Sequence, residues 1–141
     1  MYVLLKDMTE YKAPPTDNTL IHAEGCTKLL SVSVPGMTTI PERCFAGCTS
    51  LTHVHLAPMV RSIGAGCFAG CTSLTSITLP YGPEEVDPSW FEGCTNLTTI
   101  RLPKSYKRFG SSAPNLSRLY IKGHKLEFTS PIPKSLAVIK W

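Results

Sequence analysis

Four copies of one phrase constrain this chain more than any other feature of it. GCTKLLSVSVP begins at Gly25, GCTSLTHVHLA at Gly47, GCTSLTSITLP at Gly70 and GCTNLTTIRLP at Gly93, each with Leu at its fifth place and a β-branched residue at its eighth. Measured from that Leu, the positions are Leu29, Leu51, Leu74 and Leu97, at steps of 22, 23 and 23 residues. Two degraded copies follow, NLSRLYI with Leu116 and SLAVIKW with Leu136, at steps of 19 and 20. A period of this length, with an LxxLxL core, is the mark of a solenoid in which each repeat is one coil and neighbouring coils share a core. The expectation is about six coils.

Within each phrase the apolar residues alternate, which is the period of a strand. The inward set reads Leu29, Val32, Val34; Leu51, Val54, Leu56; Leu74, Ile77, Leu79; Leu97, Ile100, Leu102; Leu116, Leu119, Ile121; and Leu136, Ile139, Trp141. One short strand per coil, joined by whole coils, is expected to pair in parallel. A second apolar column falls at Ile40, Ile63, Val86, Phe109 and Phe128, on the return side of each coil. Phe45, Phe68 and Phe91 recur at 23 and are expected to stack in the middle of the coil. Pro35, Pro58, Pro80 and Pro103 close the strands, and Gly47, Gly70 and Gly93 suit a tight bend at positive φ.

Two of the copies carry CFAGCTSL, at Cys44–Leu51 and Cys67–Leu74, and a third reads WFEGCTNL at Trp90–Leu97. These residues resemble the BspA-like leucine-rich repeat family, whose unit runs approximately AFxGCxxLxxIxLPxxxxxIxxx; the match is good over residues 20 to 103 and weak over 104 to 141. The resemblance implies a leucine-rich-repeat solenoid, β-rich, with one short parallel strand per coil and turns or short 3-10 segments on the return side. It also implies surface or adhesion modules of bacteria and protists, and repeats of this kind occur in mobile elements and viruses of gut microbes. The organisation expected is an N-terminal strand and cap over 1–24, four well-formed repeats over 25–103 and two degraded ones over 104–141, in a single domain. Tyr2–Lys6 is a β-prone run that could cover the first coil, and Lys12–Asn18 is a Pro- and Asx-rich break.

Charge is low in amount, 17%, and unevenly placed. From residue 100 onward nine basic residues face a single acid, Glu127, a balance of +8, while residues 1–99 hold five basic residues and nine acids, a balance of −4. A basic C-terminal end favours docking on an acidic partner or head-to-tail association; the alternative is a solubilising cap. The N-terminus has no basic segment, apolar run or small-residue cleavage site of a signal peptide, and no stretch reaches the length of a membrane span. Intracellular synthesis without membrane insertion is expected, the final location being open between free protein and a surface or virion assembly.

The six cysteines invite a metal reading. Cys44 and Cys48, then Cys67 and Cys71, form two Cx3C pairs. The repeat explains them better: Cys26, Cys48, Cys71 and Cys94 fill one column, and Cys44 and Cys67 another whose third member is Trp90, which cannot bind metal. Stacked side chains pointing one way meet the distance but not the direction a disulfide needs, so buried reduced thiols are favoured over disulfides and over metal. Trp90 is expected to lie partly exposed. Of the histidines only His53 and His55 fall together, outward on one strand, and no acid or thiol flanks them. No nucleophile elbow or phosphate loop occurs, so no catalytic residue, metal ligand or cofactor is assigned and the chain reads as a non-enzyme.

Solenoids offer an extended sheet face for binding. Its outward positions read Ser31, Ser33, His53, His55, Ser76, Thr78, Thr99, Arg101, Arg118, Tyr120, Val138 and Lys140. Candidate binding residues are His53, His55, Arg101, Arg118, Tyr120 and Lys140, because Arg and Tyr contribute most at interfaces; the alternative is an ordinary solvated face. The chain stops at Trp141 on an inward site, so either irregular structure over Lys122–Ser135 or a neighbouring subunit covers the last coil. Three function classes follow: a protein-binding or adhesion module that meets a protein or surface ligand; a structural or decoration subunit of an assembly such as a phage-like particle, docked by the basic end; and, weakest, a nucleic-acid binder.

Overall fold

Fourteen short strands wind one after another around a common axis in the computed structural model, which describes residues 2–17, 20–58 and 60–141. They are β1 (Tyr2–Val3), β2 (Glu10–Lys12), β3 (Ile21–His22), β4 (Ser31–Val34), β5 (Thr39–Ile40), β6 (His53–Leu56), β7 (Ser62–Ile63), β8 (Ser76–Thr78), β9 (Glu85–Val86), β10 (Thr99–Arg101), β11 (Arg108–Phe109), β12 (Arg118–Ile121), β13 (Glu127–Phe128) and β14 (Ala137–Lys140). A single 3-10 turn, Pro88–Phe91, is the one helical element among the described residues. Among the described residues every strand pair is parallel. Parallel neighbours need a whole coil between them, so the repeat period read from the sequence is the pitch of the solenoid.

The main face carries the repeated phrase. It consists of two ladders, β2–β4–β6 and β8–β10–β12–β14, with Val32 opposite Val54 in one and Ile77, Ile100 and Leu119 aligned in the other. Seven strands therefore span six turns. The return side holds β5–β7 and β9–β11–β13, and the expected column is there: Ile40 opposite Ile63, and Phe109 between Val86 and Phe128. Both sides break at the same level, between the coil of β6–β7 and that of β8–β9. The third side is continuous across that level, since Phe45 N–H donates to Cys67 O at 2.9 Å, Gly47 N–H to Ala69 O at 2.7 Å, Phe68 N–H to Trp90 O at 3.0 Å and Gly70 N–H to Glu92 O at 2.7 Å.

The dry interior is built from columns. Leu29, Leu51, Leu74, Leu97 and Leu116 are all buried, and Phe45, Phe68 and Phe91 form the expected stack, with centroids 5.5 and 5.7 Å apart and planes within 12° and 6°. Gly47, Gly70 and Gly93 have φ of 73°, 75° and 75°, the left-handed bend that a Cβ would strain. The cysteine column works as a hydrogen-bonded ladder: Cys48 Sγ donates to Ala23 O at 3.1 Å, Cys71 to Phe45 O at 3.2 Å and Cys94 to Phe68 O at 3.0 Å. A small apolar group with a weak donor adds a bond between coils to a buried carbonyl that already accepts a backbone N–H within its own turn. Two places beyond that column, after Cys71, Cys94 and Ala113, Ser and Asn side chains bond to the preceding coil at the surface. Ser73 Oγ donates to Thr49 O at 2.6 Å, Asn96 Nδ2 to Thr72 O at 2.7 Å and Asn115 Nδ2 to Thr95 O at 2.7 Å.

Three expectations are corrected. Tyr2–Val3 does start the stack, pairing with β3, yet the first main-face strand is β2, Glu10–Lys12, at the edge of the segment read as a break; Asn18 and Thr19 of that region lie outside the described residues. Trp90 is buried, 4% exposed, because the 3-10 turn rolls it inward. Asp87 caps that turn, its Oδ1 accepting from Ser89 N–H at 2.8 Å. The last strand is one residue out of the expected register. Arg118 faces Ala137, Leu119 faces Val138, Tyr120 faces Ile139 and Ile121 faces Lys140. Trp141, expected inward, is 48% exposed and stands under the Lys122 ammonium, 3.9 Å from its ring centroid.

Candidate functional site

The outward face is set by the ladders. In the first ladder Glu10, Ser31 and His53 share one column, and Lys12, Ser33 and His55 the next. Glu10 and Lys12 bring opposite charges beside the serines and histidines, an addition the sequence hid because EYK carries no repeat signature. Together these strands line a shallow cleft of about 340 Å³. His53 and His55 are both exposed, and His53 Nδ1 lies 2.9 Å from Thr52 Oγ1.

In the second ladder Ser76, Thr99, Arg118 and Ala137 form one column, and Thr78, Arg101, Tyr120 and Ile139 the other. Arg101 Cζ sits 4.7 Å from the centroid of the Tyr120 ring, a cation–π contact that holds both side chains at half-buried positions, with Arg118 exposed beside them. The structure thus brings Arg101, Arg118 and Tyr120 together and leaves His53 and His55 in the other ladder, across the break. Lys140 does not join either group. Its register opposite the inward Ile121 takes it off the outward face, and Ile139 stands where Lys140 and Val138 were expected to alternate.

The thiols have no place in this surface. All six cysteines are free and buried. Burial pushes the Cys44 thiol up to about 12 and those of Cys48 and Cys94 to about 11, and it raises Cys67, Cys71 and Cys26 as well. A thiolate, the form that attacks or binds metal, is correspondingly disfavoured. Among the described residues no three His, Cys, Asp or Glu side chains come together in a way that could hold a metal ion.

A second surface lies around the corner from the sheet face, between main face and return side. Lys104, Lys107, Arg108, His124 and Lys125 line an open cleft of about 490 Å³, with Tyr106 at its floor and Glu127 its one acid. Tyr106 is fully buried and donates its hydroxyl to Pro80 O at 2.9 Å; burial raises its pKa. Lys107 pairs with Glu84 at 3.4 Å and Arg108 with Glu85 at 3.3 Å, both pairs between exposed groups on neighbouring coils. Among the described residues Lys104 and Lys125 form no ion pair, and neither ring nitrogen of His124 has a hydrogen-bond partner or access to solvent.

Parallel strands repeated once per coil, with buried leucine, phenylalanine and cysteine columns, define a leucine-rich-repeat β-solenoid. The sequence profile of the BspA type leucine rich repeat region matches in six copies over residues 23–127, and the chain belongs to that family. Comparison with curated protein sequences gives no match. Among solved structures, the chain is similar to a leucine-rich repeat protein from Bacteroides ovatus, with 31% identity and a TM-score of 0.69 over 89% of this chain and 37% of that one. It is also similar to the T. pallidum leucine-rich repeat protein, with 27% identity and a TM-score of 0.71 over 85% of this chain and 59% of that one. A leucine-rich cell surface protein from Faecalibacterium prausnitzii shares the fold at 22% identity, TM-score 0.67, over 94% of this chain and 35% of that one. The chain spans between 35% and 59% of the length of these three proteins.

Proposed function

We propose that the chain is a non-catalytic protein-binding or adhesion module that meets its ligand through the outward sheet face. The observation that carries this reading is the cluster of Arg101, Arg118 and Tyr120 on adjacent strands β10 and β12, two of its members already locked by a cation–π contact. Arg and Tyr held in place before binding lose little side-chain entropy on complex formation, which is what concentrates affinity in a few residues. The family and the structural neighbours support an interaction role, and leucine-rich repeat proteins are generally non-catalytic. The test is attachment of beads coated with the protein to immobilised cell-surface proteins and glycoproteins. An Arg101→Ser, Arg118→Ser, Tyr120→Thr triple variant is expected to lose about fivefold or more of the attachment. Full attachment by the triple variant, with its fold intact, contradicts the proposal.

A second reading, a structural subunit of a larger assembly docked through the basic C-terminal end, is favoured by the counter-ion-free Lys104 and Lys125. It requires association that salt weakens. A monomer by light scattering at high concentration and low salt removes it.

A further inference from the structure

We propose that the cleft between the Lys104–Arg108 corner and the His124–Lys125 turn is a binding site for an anionic saccharide, engaged through its sulfate or phosphate ester groups. Two observations carry the charge of the ligand. The lining offers four Lys and Arg cations against Glu127, and two of them, Lys104 and Lys125, have no counter-ion among the described residues. The partners of the other two, Glu84 and Glu85, are exposed and bind Lys107 and Arg108 at 3.3 to 3.4 Å, a kind of pair that water and salt screen heavily and that a better-placed oxyanion displaces. His124 adds the second observation. An imidazole in the cleft wall with both nitrogens unpaired and shielded is an unmet hydrogen-bonding demand. Its terminal torsion is a broad one, so a small rotation presents N–H to an oxyanion seated between Lys104 and Lys125.

Volume and shape select the rest of the ligand. At about 490 Å³ the cleft falls within the range of small-molecule sites and exceeds what one tetrahedral oxyanion fills, so it takes the ester together with the sugar that carries it. A nucleobase lacks a broad platform here, because Tyr106, the one Phe, Tyr or Trp of the lining, is fully buried with its hydroxyl committed to Pro80 O. An acidic peptide finds only a short edge to extend, the two-residue strand β13 at the end of the return ladder, and that edge carries Glu127. The adjoining return strand β11 is already paired on both sides, with β9 and with β13.

The experiment is calorimetric titration of the whole chain with a sulfated hexasaccharide of the heparin type. Its desulfated form, inorganic sulfate, an oligonucleotide and oligoglutamate of equal charge serve as comparisons, each at low and at moderate salt. The sulfated sugar is expected to bind most tightly, inorganic sulfate weakly and the desulfated sugar not at all. A Lys104→Ser, Lys125→Ser variant is expected to lose about fivefold or more, against less than about twofold for Lys12→Ser, Lys28→Ser, which removes equal charge elsewhere. In the wild type the His124 ring nitrogen resonances shift on titration. Equal losses in the two double variants, an unmoved His124, tighter binding of the oligonucleotide or the oligoglutamate, or no binding at all each overturn the proposal. The Arg101→Ser, Arg118→Ser, Tyr120→Thr variant keeps saccharide affinity, so failure here and failure of the sheet-face reading are told apart.

Discussion

At the scale of single residues, the cysteines explain themselves through what they touch. Each of Cys48, Cys71 and Cys94 sits in the same bend and gives its proton to a carbonyl of the coil before it. That role was legible in the sequence as a column, whereas its acceptor was not, because the acceptor lies 25 or 26 residues away. Burial has a measurable consequence. The folded thiols of Cys44, Cys48 and Cys94 stand at about 12, 11 and 11 against an ordinary 9.0, so the protonated form is favoured in the folded state relative to the unfolded one. Their contribution to stability is fully present below pH 9 and is lost as pH rises from there through 11 and 12. Denaturant midpoints measured from pH 7 to 11 are expected to hold steady and then fall. In the native protein at pH 8, a thiol reagent is expected to label the six cysteines only as fast as the coils open, and all of them at once in denaturant. Rapid labelling of the native chain contradicts the burial of the ladder.

Among the elements, the middle of the chain was readable and the main-face strands at its two ends, β2 and β14, were not, for one physical reason. Where a phrase holds Gly-Cys, Leu and an alternating triplet, only one register buries the apolar set. The final strand reads Ala-Val-Ile-Lys, with apolar residues at adjacent places, so alternation does not choose between two faces. The ladder with β12 chooses the one that sets Val138 and Lys140 opposite the inward Leu119 and Ile121, where both stay exposed at the end of the stack. At the other end β2 has a single apolar residue, Tyr11, and only its pairing with β4 reveals it. Of the candidate face, Arg101 and Tyr120 were predictable because they flank Ile100 and Leu119, whereas the basic cleft was not, since its residues come from two corner segments outside the repeated phrase. The phenylalanine stack gives the prediction at this scale. Phe68→Ala removes the ring sandwiched between Phe45 and Phe91 and is expected to cost about 3–5 kcal/mol in denaturant unfolding, as for other buried aromatics. A cost near that of an exposed substitution contradicts the stack.

For the whole molecule, the interior is shared only between successive coils, so stability accumulates from neighbour to neighbour along the axis. Three exposed ion pairs, Arg43–Glu24, Lys107–Glu84 and Arg108–Glu85, link adjacent coils and add little. The buried columns therefore hold the stack. Charge follows the same axis, with the basic excess gathered in the last coils, where both the Arg101–Tyr120 cluster and the cleft lie. All of this rests on coils stacked in register, one residue of each column directly above the last. The direct test is a nuclear Overhauser measurement on the phenylalanine rings in solution. Phe68 is expected to show contacts to both Phe45 and Phe91, with none between Phe45 and Phe91 themselves, because each ring is separated from its nearest neighbour by 5.5 or 5.7 Å along one axis. A direct Phe45–Phe91 contact, or a Phe68 ring that meets neither, contradicts the account.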